Sequence, residues 1–223
     1  MRSKSYLAVL AAAFLAAPSA LASVVIIQPV AITSSFTVQQ GAFVNLINQS
    51  GLTPTGYIPG EEYFPYVDGP PTITHVFGGI DVPNGVQTQE DTGSIVLDLG
   101  GVFLLQNFAL WNGEGILGLS GFDLYVSVDM TFGMEDLVGS FVSLDMTPNA
   151  QSFMFDEPKT GRFVQVDVTS SRMRTGNLLG EMALGAVTTM AVPEPGVIAL
   201  LSLGLIGFAF RLRHSSPAWC ESP

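Results

Sequence analysis

Within ten positions stand four aromatic residues, Tyr57, Tyr63, Phe64 and Tyr66, with the carboxylates Glu61, Glu62 and Asp68 among and just after them. Together these residue types suit a sugar site: ring faces stack on pyranose C–H groups, while carboxylates accept hydrogen bonds from the hydroxyls. The same set also reads as an aromatic lid sealing one end of a domain, because buried rings contribute apolar area and need no ligand. Both readings place function or packing in Gly51 to Pro71, a connection longer than most compact domains contain.

Catalysis is not expected. Glu61-Glu62 and Glu135-Asp136 are sequence neighbours that would point apart on strands, whereas a glycosidase needs two carboxyl groups facing each other across the scissile bond. A serine hydrolase would have to recruit His75, yet no G-x-S-x-G elbow occurs, and "GLSGF" at 118–122 lacks that spacing. Zinc would need unusual ligands, because His75 is the one histidine before the C-terminal region and the only cysteine is Cys220. Calcium, an oxygen-seeking ion, suits this composition better. With no pair of thiols there is no intramolecular disulfide to stabilise the fold. Asn48-Gln49-Ser50 fits the N-glycosylation pattern, a short match that is common by chance.

The 223 residues carry a formal charge of −11, but the imbalance is concentrated in the middle. Between Ser23 and Val192, 17 acids face only Lys159, Arg162, Arg172 and Arg174, a balance of −13. Such a surface repels phosphate backbones, so nucleic acid is not an expected partner, while it favours solubility and can attract divalent cations.

The two ends read as address labels. Arg2 and Lys4 precede the apolar run Leu7 to Ala17, followed by Pro18 and Ala20-Leu21-Ala22, the pattern of a signal peptide cleaved after Ala22 by signal peptidase. Residues 1–22 are therefore set apart from the fold. Near the other end, Gly196 to Phe210 is an apolar run bounded by Pro195 and by Arg211 and Arg213. As a helix its fifteen residues rise only about 22 Å against a hydrocarbon core of about 30 Å, so it is a marginal span suited to transient insertion. The arginines fit the positive-inside rule, and Pro193 and Pro195 keep the preceding peptide extended and accessible to a protease.

Between these ends, short alternating runs are separated by Gly, Pro and Asn breaks, which predicts an antiparallel all-β sandwich over residues 23–190. In Gly121–Asp129 the residues Phe122, Leu124, Val126 and Val128 share one face, and Asp123, Tyr125, Ser127 and Asp129 the other. Further strands are expected at 24–27, 73–77, 94–99, 105–111, 138–144, 152–155, 162–168 and 181–187. Pro83-Asn84-Gly85, Gly100-Gly101 and Pro158 to Gly161 read as turns. No helical period extends over ten residues, and Trp111 reads as core.

A series of short marks, "SIVLDLGG" (94–101), "FALWN" (108–112), "GFDLYVSVD" (121–129), "VGSF" (138–141), "AQSFMF" (150–155), "GRFVQVDVTS" (161–170) and "LLGEMALG" (178–185), resembles the discoidin-like domains, also called coagulation factor type C or galactose-binding-like. The resemblance implies an eight-stranded jelly roll whose loops at one end bind glycans or other surface ligands, often with a structural calcium ion; glycan or exopolysaccharide is the expected partner of this chain. For that ion Glu181 matches the family's late glutamate. Asn48, in "INQSGL" (47–52), stands where an early carboxylate is usual, and an amide oxygen there would bring no charge. With the sugar reading, the candidate ligand-binding residues are Tyr57, Tyr63, Phe64, Tyr66 and Asp68.

"VPEPGVIALLSLGLIGFAFRLR" (192–213) resembles the PEP-CTERM sorting signal of Gram-negative, exopolysaccharide-making bacteria. That resemblance implies recognition of Pro193, Glu194 and Pro195 by the membrane transpeptidase exosortase, a transient inner-membrane anchor at 196–210, and Arg211 and Arg213 as its stop. Residues 214–223 form a short tail, longer than such signals usually have after the basic cluster. The expectation is an exported, non-enzymatic protein delivered to the cell surface or extracellular matrix. A purely structural matrix role and a carbohydrate-active enzyme are the alternatives.

Overall fold

Period-two patterning becomes strand wherever one face has an apolar layer to meet, and the computed structural model places eleven strands in the residues it describes: 23–53, 56–69, 72–73, 85–112, 118–144, 149–172 and 176–188. In chain order these are β1 (Ser23–Ile27), β2 (Ala31–Ser34), β3 (Val38–Gly41), β4 (Leu52–Thr53), β5 (Thr72–Ile73), β6 (Val86–Thr88), β7 (Gly93–Asn112), β8 (Leu119–Ser127), β9 (Leu137–Val142), β10 (Gln151–Ser171) and β11 (Leu178–Thr188). One short helix, α1 (Tyr63–Val67), lies between β4 and β5. The signal peptide, the Pro-Glu-Pro segment, the apolar run and its arginines, and His75 all lie outside the described residues. Among those described, no helix is long and apolar enough to cross a membrane.

The ladder runs β3-β6-β11-β7-β10-β8-β9, with β1 on the free side of β11 and β2 on β7, every pair antiparallel. It forms two layers because β7 and β10 bend together. The first half of β7 pairs with β2 at residues 95–98, and its second half pairs with β11 at residues 105–112. The register between β7 and β10 slips twice, between Met154 and Lys159 and between Gly161 and Phe163. Strands that pass from one layer to the other through such bulges are how two packed sheets share a corner.

Two sequence expectations are corrected at this corner. Gly100-Gly101 and Pro158 to Gly161 are not chain reversals but lie inside the 20-residue β7 and the 21-residue β10, so the four strands expected there are two. Turn-forming residues mark the bend without ending the strand. Gly100 adopts φ +74°, which a β-carbon would strain, and its N–H donates to Asp98 Oδ1 at 2.8 Å. Arg162 spans to the same carboxylate with two bonds of 2.8 Å, a fork that holds the Asp98 carboxyl below its usual range.

Between the layers the core is built from alternate residues: Ile95, Leu97, Phe108 and Leu110 of β7, Phe122, Leu124 and Val126 of β8, Val164, Val166 and Val168 of β10, and Met182 and Leu184 of β11. The expected face of β8 therefore packs as read through Val126. Val128 does not join it, because β8 ends at Ser127 and Val128 is exposed. The short strands β2, β3 and β6, at most four residues each, had too few alternations to be read from sequence.

Candidate functional site

Strand β7 buries both of its faces. Phe108 and Leu110 enter the inter-sheet core, while Ala109 and Trp111, one step out of phase, point the other way into a second cluster with Ile26, Tyr57, Tyr63, Val67 and Ala183. What covers this outer face is the segment carrying the aromatic residues. It is fastened to β1 by backbone bonds from Ile26 N to the Glu61 carbonyl at 2.9 Å and from Gly60 N to the Ile26 carbonyl at 2.8 Å. Gly185 of β11 makes room for it, since a β-carbon there would meet the Tyr63 ring at 3.0 Å and the Val24 side chain at 2.8 Å. Gly51 to Pro71 is therefore no plain loop: it holds β4 and α1, a helix too short to leave a period.

The five candidate sugar-binding residues separate in this arrangement. Tyr57 and Tyr63 are 3% and 0% exposed, so neither ring offers a face to a ligand. The Tyr63 hydroxyl shares a hydrogen bond of 3.1 Å with Ser152, and burial raises its pKa well above the usual tyrosine value. Tyr57 stands edge-on to Tyr66 at 5.7 Å, and Tyr66 to Trp111 at 6.3 Å. Burial pushes Tyr66 up to about 12, helped by the nearby Glu61 and Glu181 carboxylates. This is the lid reading, laid over a sheet face rather than an end, and it corrects the stacking role expected of Tyr57 and Tyr63. Phe64 remains exposed, edge-on to Tyr63 at 5.3 Å. Glu61 is occupied within its own turn, its Oε1 accepting from Ile58 N at 2.7 Å.

Asp68, exposed directly after α1, lines an open cleft of about 480 Å³. Asn149, Gln151 and Ser152 supply the rest of its polar wall, and Val142, Leu144 and Phe153 an apolar one. The rim is braced from beneath. Gln151 spans the β9–β10 connection, its Oε1 accepting from Leu144 N at 2.5 Å and its Nε2 donating to the Leu144 carbonyl at 3.4 Å. Ser152 is tied to α1 through Tyr63. Of this set only Asp68 was legible as a site residue; Asn149, Gln151 and Ser152 carry no motif and converge through folding alone.

Glu181 lies elsewhere and is fully buried, not facing solvent as an isolated strand position would suggest. Its Oε1 accepts from the Tyr57 hydroxyl at 2.9 Å and its Oε2 from the Gln49 N–H at 2.8 Å. Burial raises its carboxyl to about 8 against the lowering effect of those two bonds. Tyr57 is pushed far above its usual range by burial first and the carboxylate second. Asn48, the other candidate calcium ligand, is exposed and turned to its own loop: its Oδ1 accepts from Ser50 N at 2.9 Å.

Residues 191–213 match the PEP-CTERM protein-sorting motif. Among curated proteins none matches the chain by sequence. Among solved structures, "Truncated AlyQ with CBM32 and alginate lyase domains" superposes with a TM-score of 0.50 at 17% identity, covering 74% of this chain and 34% of that one. This chain thus spans about a third of that protein. "CBM32 of AlyQ in complex with 4,5-unsaturated mannuronic acid" matches at 16% identity and TM-score 0.46, over 71% of this chain and 96% of that one. The family 32 module of C. perfringens NanJ, solved with galactose, matches at 12% identity and TM-score 0.47, over 73% and 98%. The chain therefore joins an antiparallel, discoidin-like β-sandwich, the fold of family 32 carbohydrate-binding modules, to a C-terminal PEP-CTERM protein-sorting motif.

Proposed function

We propose that this is an exported, exosortase-processed protein of the cell surface or extracellular matrix, whose β-sandwich binds glycan in the cleft between Asp68 and the start of β10. The observation that carries the binding half is the cleft itself. Its volume of about 480 Å³ falls within the range of roughly 300–1,000 Å³ typical of ligand sites, and its walls are divided between hydroxyl, amide and carboxylate groups and apolar side chains. A saccharide has the same division, with hydroxyls around the ring edge and C–H groups on its faces. Shared fold does not by itself transfer a ligand, so the cleft and not the likeness supports the reading.

The test is a glycan array probed with the processed protein. A retained saccharide class is expected, and Asp68→Ala should weaken it about ten- to a hundredfold, the usual worth of a hydrogen bond to a charged group. A blank array would favour a structural matrix role, and turnover of polysaccharide abolished by one carboxylate substitution would make the protein an enzyme.

The sorting half rests on the matched motif, with Pro193, Glu194 and Pro195 recognised, Gly196 to Phe210 as transient anchor, and Arg211 and Arg213 holding its cytoplasmic edge. Signal peptidase and exosortase are then its processing partners. Glu194→Ala is expected to leave uncut protein in the inner membrane, read by size and fractionation. Unchanged release would overturn exosortase processing without touching the glycan reading.

A further inference from the structure

A calcium ion is what the discoidin-like resemblance implies at Asn48 and Glu181, and the donors gathered there do not fit one. Calcium takes about six to eight oxygen ligands turned towards the ion. Both Glu181 oxygens are instead directed at hydrogen atoms, from the Tyr57 hydroxyl at 2.9 Å and the Gln49 amide at 2.8 Å. The neighbouring oxygens are committed in the same way. Asn48 Oδ1 takes the Ser50 N–H at 2.9 Å, the Ile47 carbonyl takes Gln28 Nε2 at 2.7 Å, and the Gln49 carbonyl takes the Leu52 N–H at 3.3 Å. Among the described residues no group of three His, Cys, Asp or Glu side chains gathers to hold a metal. Polarised N–H and O–H hydrogens carry the sign of a cation, so each Glu181 oxygen already has a lone pair committed to a positive partner.

We propose that the hydrogen bonds from Tyr57 and Gln49 to Glu181 stand in place of a bound cation, so that this sandwich folds and keeps its shape without divalent metal. The clasp does the joining an ion would do, because it ties the 47–51 loop and the lid segment to β11, 132 and 124 positions away in sequence. The loop is shaped for the task. Gln49, whose N–H meets Glu181, is the one described non-glycine residue with positive φ, at 65°, and Gly51 follows at 82°. Its side chain is held from the other side, with Gln49 Nε2 donating to Gln28 Oε1 at 3.3 Å. Tyr57 reaches the carboxylate from within the aromatic lid, where no water competes for its hydroxyl.

The experiment is thermal unfolding of the full chain in detergent, first with EDTA and then with calcium chloride added to millimolar concentration, alongside a terbium titration read by sensitised emission. The expected result is the same Tm in both buffers and no saturable terbium signal, with Tyr57→Phe lowering Tm equally in the two. A calcium-dependent rise in Tm, or terbium emission that disappears in Glu181→Gln, would overturn the proposal. So would a Tyr57→Phe chain as stable as the wild type. Should that variant fail to fold, the wild-type metal titrations decide the matter, and none of these outcomes depends on whether the cleft binds sugar.

Discussion

Raising the pH from about 4.5 towards 8 should cost this protein on the order of 1 kcal/mol of stability per pH unit through Glu181, whose folded carboxyl is raised above its ordinary value. The folded carboxyl titrates near 8, and its ordinary value is 4.5. Between these values the folded state holds a proton that the unfolded chain has already released. The contribution is therefore complete below 4.5, falls as pH rises through the folded value, and is flat above it. Asp98 works in the opposite sense: held low by Arg162, it adds stability above its unfolded pKa that is lost on acidification. Self-repulsion of the acidic body also grows with pH. The informative quantity is thus the difference between the wild type and Glu181→Gln. An amide removes the titration; its oxygen can still accept from the Gln49 N–H, while its NH2 faces the Tyr57 hydroxyl, which must turn to accept, a cost that is the same at every pH. Chemical denaturation across pH 4 to 9 should show the wild type losing ground steadily to the variant. Parallel curves would mean that Glu181 titrates in the folded state at its ordinary value.

Phe122→Ala should cost about 3–5 kcal/mol, a large share of the roughly 5–15 kcal/mol that holds a typical domain together. Phe122 is 1% exposed and stands at the centre of an aromatic group, with ring centroids 5.7 Å from Phe108, 5.5 Å from Phe141 and 5.0 Å from Phe153. Those partners come from β7, β9 and β10, so the truncation opens a void where four strands meet. Phe153 also lines the proposed cleft, and loss of Phe122 support should loosen that wall. Urea unfolding checks the first effect as a lowered midpoint at unchanged slope. A loss below 1 kcal/mol would mean that the surrounding rings collapse to fill the space.

Much of the sandwich could be read in advance because alternation is a local property. Phe122, Leu124 and Val126 show one face within five residues, and the structure buries that face; of the other, Asp123 and Tyr125 are half-buried and Ser127 is buried. The ends of β7 and β10 were harder, since Gly100 and Pro158 look alike in a reversal and in a bulge. Only the partner strand, bending in step, makes them the second. Aromatic content likewise marked 57–66 as ordered, but ordered against what was invisible. A ring that stacks on sugar and a ring that seals a sheet have the same letter.

Local chemistry in the sequence determined the all-β class, the acidic surface and the C-terminal sorting motif, because each depends on residues close together in the chain. Tertiary structure decided the rest. The register of β11 slips between Leu179 and Met182, so alternation along it does not say which side Glu181 faces; the lid from residues 56–69 and the 47–51 loop make it a buried, hydrogen-bonded acid. The cleft is likewise made when Asp68 is brought beside Asn149 and Ser152, positions about eighty residues later, by a pairing energy no short window contains.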